Sequence, residues 1–236
     1  MRTIQTKYGD FAIDPDDRFI SMSLLVYGCW APDELKLIEE RVPGRRAAVD
    51  AGACLGWHSR AFSRMGFGDI YAFEPNPICS DYLAQNLMHD YNTHVHELAL
   101  SDSAGVVELR YDDHKQKNIG LGSIQVEYEV QSKTVPVKTV TLDSMELSAC
   151  DVIKADVEGA ENRLLLGAAE TIANYKPALL IEYNMVDAEL LSTLKRYGYK
   201  WELHRSSYNQ TGGFSSLAIF PPSLEEKFLF CEPKRG

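Results

Sequence analysis

Two carboxylates, Asp50 and Glu74, sit twenty-four positions apart, each at the end of an apolar run that reads as a buried strand. The first belongs to Val49-Asp50-Ala51-Gly52-Ala53-Cys54-Leu55-Gly56 and leads into a glycine-bearing turn, then into the helix-like run Trp57 to Met65. The second belongs to Tyr71-Ala72-Phe73-Glu74-Pro75-Asn76. In an open α/β sheet, ligands bind in the crevice outside the carboxyl ends of the strands, where such tips are neighbours. Gly52 lets the backbone approach a ligand closely, and Gly56 permits tight helix–strand packing. An acidic residue about twenty positions downstream of such a turn can hold a ribose diol with both oxygens. The spacing therefore points to a nucleoside-containing cofactor.

A dinucleotide turn reads Gly-x-Gly-x-x-Gly, because a pyrophosphate needs backbone N–H groups at a helix N-terminus. Here Asp50 replaces the first glycine; its carboxylate repels a pyrophosphate but suits an ammonium or sulfonium group. Asp-x-Gly-x-x-x-Gly thus favours S-adenosylmethionine over a dinucleotide. The plain alternative is a tight strand-to-helix turn with a capping Asp.

A third acidic stretch is Lys154-Ala155-Asp156-Val157-Glu158-Gly159-Ala160-Glu161. Asp156 falls just past a strand expected beside the Asp50 strand, so it faces the same crevice. Asp156 and Glu158 are the candidates for accepting or orienting the proton of an acceptor hydroxyl, whereas Glu161 reads as a helix-start residue favoured by the macrodipole. Glu182 ends the next strand and is either an acceptor contact or a solvated loop carboxylate. Asn118, Gly120, Gly122 and Ser123 lie in a polar loop and are candidate acceptor contacts, with an ordinary flexible loop as the alternative. After the third strand, Leu100 could pack on an adenine ring and Asp102 accept from its exocyclic amine, with Ser101 between them. A common turn Asp before Gly105 explains the same residues. His58, one turn into the first helix, faces the cleft or is a capping or solvated histidine. His94 and His96 share a strand face with Glu97 adjacent, but no third ligand is in view, so no metal is expected.

These residues need a frame. Ile4 to Thr6 and Phe11 to Ile13 flank a turn and read as a hairpin within an antiparallel β extension over residues 1–30, which includes an apolar stretch from Phe19 to Tyr27. Pro32 opens a helix through Arg41. Strands are expected at Ala47 to Asp50, Ile70 to Phe73, Val95 to Leu98, Val152 to Ala155 and Ala178 to Glu182. Helices are expected at Trp57 to Met65, Ile78 to Asp90, Ala160 to Ala173 and Asp187 to Tyr197. Gly105 to Leu109 and Thr134 to Thr139 read as further strands, and Leu142-Asp143 starts a short helical stretch. Tyr199 to His204 and Ser216 to Phe220 read as a closing pair, the last strand antiparallel to its neighbours. This order predicts a doubly wound, mostly parallel, seven-stranded α/β sheet of Rossmann-like type with a small N-terminal β/α extension. The expected division is an extension over 1–44, a ligand-binding domain over 45–222 and a C-terminal tail over 223–236. The extension either covers the cleft or forms a dimer contact, and a homo-oligomer stays open.

At 236 residues the chain is one large domain, or one domain with a small extension. A net charge of −10 argues against sequence-independent nucleic-acid binding, but suits a small neutral or cationic acceptor. Five cysteines without a Cys-x-x-Cys pair suggest free thiols in a reducing cytoplasm. No signal peptide begins at Met1-Arg2-Thr3, and no apolar run is long enough to span a membrane.

The motifs together resemble the FkbM-type, S-adenosylmethionine-dependent methyltransferases over roughly residues 20–220. The match runs through Tyr27-Gly28 with Glu34, the Asp50 to Ser59 turn and helix start, Ala72-Phe73-Glu74-Pro75-Asn76-Pro77 and Ala99-Leu100-Ser101-Asp102. It continues through Thr141-Leu142-Asp143, the Ile153 to Glu161 run and Leu166-Gly167-Ala168. Cys54 stands where the family usually has Asn, and Cys29 where it often has an acidic residue. The resemblance implies a class I methyltransferase fold and O-methylation of a hydroxyl on a sugar, glycan or small natural product. By position, Asp50 and Gly52 would line the methionine end and Glu74 would bind the ribose. Asp102 would sit by the adenine, and Asp156 and Glu158 by the transferred methyl. Glu34, Gly56, His58, Pro75, Asn76, Leu100 and Ser101 complete the expected cofactor contacts. N-methylation and a non-catalytic binding module are the alternatives.

Overall fold

A computed structural model describes residues 1–111, 118–120, 122–124, 133–183, 187–207 and 225–233, without side chains for 205–207 and 225–228. Its strands are β1 (Arg2–Thr6), β2 (Gly9–Ile13), β3 (Ala47–Ala51), β4 (Asp69–Phe73), β5 (Thr93–His96), β6 (Ala99–Leu100), β7 (Gly105–Tyr111), β8 (Gly122–Ser123), β9 (Lys133–Val140), β10 (Val152–Ala155), β11 (Ala178–Glu182), β12 (Tyr199–Ser207) and β13 (Glu225–Pro233). Its helices are α1 (Ile20–Tyr27), α2 (Pro32–Arg41), α3 (Trp57–Arg64), α4 (Pro77–Leu87), α5 (Glu161–Leu166), α6 (Ala169–Tyr175) and α7 (Ala188–Arg196), with a 3-10 turn at Asp143–Met145.

Apolar runs covered on both faces make the central strands. All five residues of β3 are buried, as expected of a parallel strand with helices on either side. The seven-stranded sheet runs β12-β13-β11-β10-β3-β4-β5. Strands β11, β10, β3, β4 and β5 are parallel, and β13 is antiparallel to both β11 and β12. Alternation sorts the side chains. Val49, Ile153, Leu179 and Ile181 pack with Leu164, Leu165, Leu190 and Leu194 on one face. Ala48, Val152 and Leu180 pack with Ile38, Phe62, Phe67 and Phe230 on the other. A separate four-stranded sheet, β6-β9-β7-β8, lies beyond β5.

The parallel sheet and its antiparallel strand are as the sequence predicts; several elements differ. The apolar stretch Phe19 to Tyr27 is a helix, α1, not part of a β extension. The third parallel strand is Thr93–His96, two residues earlier than expected. The helix expected over Ala160 to Ala173 is two helices, α5 and α6, parted at Gly167-Ala168. Asp143 causes the restart: its carboxylate accepts from the N–H of Glu170 and Thr171, satisfying the first orphan donors of α6. The strand that pairs with β12 is Glu225–Pro233, inside the stretch read as a tail; the expected strand Ser216 to Phe220 lies outside the described residues.

Gly167 sits in ordinary backbone, yet a Cβ there would be 1.9 Å from the Ser101 carbonyl oxygen. Gly167→Ala is therefore expected to destabilise the fold by about 2–4 kcal/mol despite alanine's better helix propensity, lowering Tm by roughly 5–12 °C in a thermal melt. An unchanged melt would mean the Ser101 turn yields freely.

The extension packs onto the parallel domain. Asn86 of α4 accepts from the Ala12 N–H and donates to the Ala12 carbonyl. The Trp57 indole N–H donates to the Trp30 carbonyl at 2.8 Å. Phe11, Ile13, Leu24 and Trp30 join Leu55, Trp57 and Ala61 in one apolar cluster. This places the segment from Phe19 to Trp30 over the strand tips.

Candidate active site

Above the carboxyl ends of β3, β4, β10 and β11 lies a cavity, open at its mouth. Gly52, Glu74, Pro75, Leu100, Asn118, Gly122, Asp156, Glu158 and Glu182 line it, so the structure brings these sequence candidates together. The turn after β3 is built around a close approach. Gly52 has φ +74°, and a Cβ there would be 1.7 Å from the Asp156 carbonyl oxygen. The N–H groups of Gly52 and Ala53 both donate to the Phe73 carbonyl, tying the β3 and β4 tips together.

Glu74 is buried, and its two oxygens accept from the N–H of Cys54 and of Asn76, each at 2.8 Å. Burial pushes its carboxyl up to about 7; the two N–H donors and Lys154 oppose that shift, and Asp50 adds to it. The cavity wall beside Glu74 is apolar: Phe73, Leu98, Leu100 and Leu109. Asp156, Glu158 and Glu182 form an acidic cluster in the lining, each offering an oxygen within 4.8 Å of the others. That spacing could be bridged by a divalent cation or shared by an acceptor's hydroxyls. Glu158 and Cys54, both on the cavity, hold left-handed backbone, φ +52° and +49°, a cost that packing must sustain. Three bonds do so around Glu158: the Ser123 hydroxyl donates to its carbonyl at 2.6 Å, and Glu161 accepts from the Val157 and Gly159 N–H groups.

Other candidates stand outside the cavity lining. Asp50 is fully buried beneath the turn and accepts from the Ser59 hydroxyl at 2.6 Å. Glu34 and His58 face each other at 3.3 Å in the interior, so His58 is neither capping nor solvated. Gly56 packs against Leu83 and Leu87. Asn76 caps α4 by accepting from the Ile78 N–H, and Ser101 is buried with its hydroxyl on Asp102. Asp102 pairs with the Arg163 guanidinium at 3.0 Å, which holds its carboxyl below the ordinary range against the upward push of desolvation. Ser123 acts through Glu158 as described.

Sequence reasoning left open whether the extension covers the cleft, named none of the residues that do so, and missed the buried cation. Phe19, Ile20 and Trp30 of the extension line the cavity, and no local motif announces them. Lys154 is buried, and its ammonium donates to the Gly52 carbonyl at 3.0 Å and lies 3.2 Å from Asp156 and 3.5 Å from Asp50. Burial alone would lower its pKa; Asp156 and Asp50 more than reverse that and keep it cationic. Its parallel-strand register opposite Asp50 was the available signal.

The methyltransferase FkbM domain model matches residues 50–201 of the chain. The methyltransferase sdnD of Sordaria araneosa is 30% identical over 162 residues, 55% of this chain and 62% of that protein. A crystal structure of methyltransferase FkbM from Methylobacillus flagellatus KT superposes with TM-score 0.53 at 18% identity, covering 78% of this chain and 43% of that one. Precorrin-6y C5,15-methyltransferase from Geobacter metallireducens GS-15 gives TM-score 0.56 at 14% identity over 94% and 98% of the two chains. The chain thus spans less than two thirds of the length of the first two relatives, and the two solved structures bear on the fold alone.

Proposed function

The chain belongs to the FkbM methyltransferase family, and from that premise we propose that it transfers a methyl group from S-adenosylmethionine to a hydroxyl on a sugar, glycan or small natural product. What supports this reading is that Glu74 and the Asp156, Glu158 and Glu182 wall share one cavity at the strand tips. The residues present fit the donor. Glu74 would take the ribose diol, the apolar wall around Leu100 the adenine, and the acidic side a sulfonium. The bound donor supplies an electrophilic methyl carbon. An acceptor hydroxyl held beside that carbon would take the methyl group. Asp156 or Glu158 accepts the hydroxyl proton, and the Phe19, Ile20 and Trp30 roof limits water. Positioning and exclusion of water supply much of the rate.

The acidic wall would equally attract an amine, which keeps N-methylation as a second reading. Titration with S-adenosylhomocysteine tests the cofactor site. Methyl transfer from labelled S-adenosylmethionine to parallel panels of hydroxylated sugars, natural products and amines then separates the two acceptor classes. No binding of S-adenosylhomocysteine by the folded chain would overturn both readings in favour of a non-catalytic module.

A pH dependence follows from Glu74. Its folded carboxyl, at about 7, lies above the ordinary glutamate value of 4.5. Its contribution to stability is therefore fully present below the unfolded value and lost as pH rises to the folded one. Ligand binding runs the other way, because a diol donates best to the ionised carboxylate. S-adenosylhomocysteine affinity is expected to rise up to about tenfold per unit approaching about pH 7 and to level off above it. Calorimetry across that range checks this, with Glu74→Gln expected to flatten the profile; a flat wild-type profile would show that the ligand ignores the charge on Glu74.

A further inference from the structure

Cys54 and Cys79 come from different elements, the turn after β3 and the first turn of α4, yet their sulfur atoms are 3.5 Å apart. Cys54 lines the cavity, and its N–H holds Glu74. Cys79 is 1% exposed and donates its S–H to the Ile119 carbonyl at 3.1 Å, between the cavity residues Asn118 and Gly120. The two thiols thus join three parts of the cavity: the glycine turn, the Glu74 tip and the Ile119 segment.

We propose that Cys54 and Cys79 form a reversible disulfide site, oxidised by a small hydroperoxide that enters through the cavity. The open side of the pair is Cys54. Its thiolate attacks one oxygen of hydrogen peroxide, the O–O bond breaks, and water leaves behind a Cys54 sulfenic acid. The Cys79 sulfur then displaces the sulfenic oxygen as a second water, and the S–S bond forms. Two thiols are oxidised, one peroxide is reduced, and two waters are released.

Shortening the contact from 3.5 Å to a bond of about 2.05 Å draws the turn toward α4 and removes the S–H that holds Ile119. The setting makes the reaction slow. A Cys79 S–H turned from Ile119 to Cys54 would favour the Cys54 thiolate, but burial, Glu74 at the β4 tip and Asp17 of the N-terminal segment outweigh it, with Lys154 of β10 opposing. Burial and the same carboxylates raise Cys79 further. Thiolate supply is therefore limiting, and oxidation quickens as pH rises. The effect on ligand binding rests on the cofactor reading proposed above.

The test treats the reduced, full chain with hydrogen peroxide, blocks remaining thiols by alkylation and maps non-reduced peptides by mass spectrometry. The expected result is a Cys54–Cys79 cross-link that dithiothreitol reverses and that Cys79→Ser lacks. With it, S-adenosylhomocysteine binding weakens about tenfold and recovers on reduction, the equivalent of roughly one hydrogen bond. Should Cys79→Ser melt early, Cys54→Ala serves as the control. A map in which both cysteines are alkylated or separately oxidised, with no cross-link between them, overturns the proposal. The cross-link is read whether or not the ligand binds: a cross-linked protein without ligand affinity in its reduced form sinks the cofactor reading and leaves the disulfide site standing.

Discussion

Glu74→Gln is expected to weaken S-adenosylhomocysteine binding about 100-fold while the chain stays folded. A hydrogen bond to a charged group contributes roughly 1.5–3 kcal/mol, and a diol makes two. The full loss would be about 3–6 kcal/mol, part of which glutamine recovers by accepting one hydroxyl and donating to the other. The substitution is isosteric, and its one oxygen keeps one of the two backbone N–H bonds that Glu74 makes, while its amide N–H faces the other donor. Glu74→Ala removes that acceptor as well and is expected to abolish measurable binding, with a lower Tm. Calorimetric titration of both variants beside the wild type reads the effect. Wild-type affinity in Glu74→Gln would remove Glu74 from the cofactor site and force the ribose elsewhere in the cavity.

The second large effect is on turnover. Asp156→Asn is expected to lower kcat for an alcohol acceptor by a factor of about 10² to 10⁴, the usual span for general-base assistance. S-adenosylhomocysteine affinity should change little beside that, because its sulfur is a neutral thioether with no charge for Asp156 to hold. Lys154 makes Asp156 the stronger candidate of the pair: its ammonium lies 3.2 Å from the Asp156 carboxylate and fixes where that carboxylate stands. Glu158→Gln is expected to cost less. Single-turnover assays with the acceptor found in the screen separate chemistry from binding. Near-normal turnover in both variants would leave positioning alone as the source of rate.

Much of the frame was legible because its signals are local. A strand ending in Asp50 and a turn with Gly52 and Gly56 lie within seven residues, and Glu74 is fixed by the next strand of the same βαβ unit. The failures have physical causes. Ile20-Ser-Met-Ser-Leu-Leu-Val-Tyr is apolar on every side, so periodicity cannot tell a helix from a strand. The Ala160 to Ala173 run looks continuous because the break depends on Asp143, which reaches α6 from another part of the chain. The roof is invisible for a similar reason: Trp30 reaches the cavity only through a tertiary bond from Trp57. Glu34 and His58 carry motif positions, yet they face each other at 3.3 Å, which spacing cannot reveal. The meeting of Cys54 and Cys79 likewise depends on how α4 seats on the turn.

The placement of β13 bears on how this chain comes off the ribosome. In the sheet β13 lies between β11 and β12, so among the described strands β12 pairs with residues 225–233 and with no other. During synthesis the five parallel strands can assemble first, while the edge of β11 stays uncovered and β12 waits for β13. Sealing that edge is a late, non-local event, which is slow for entropic reasons. A nascent chain stalled after β12 would carry an open edge strand, the feature most prone to pairing with another chain. Translation speed between codons 207 and 233 is therefore the interval in which a chaperone has most to protect.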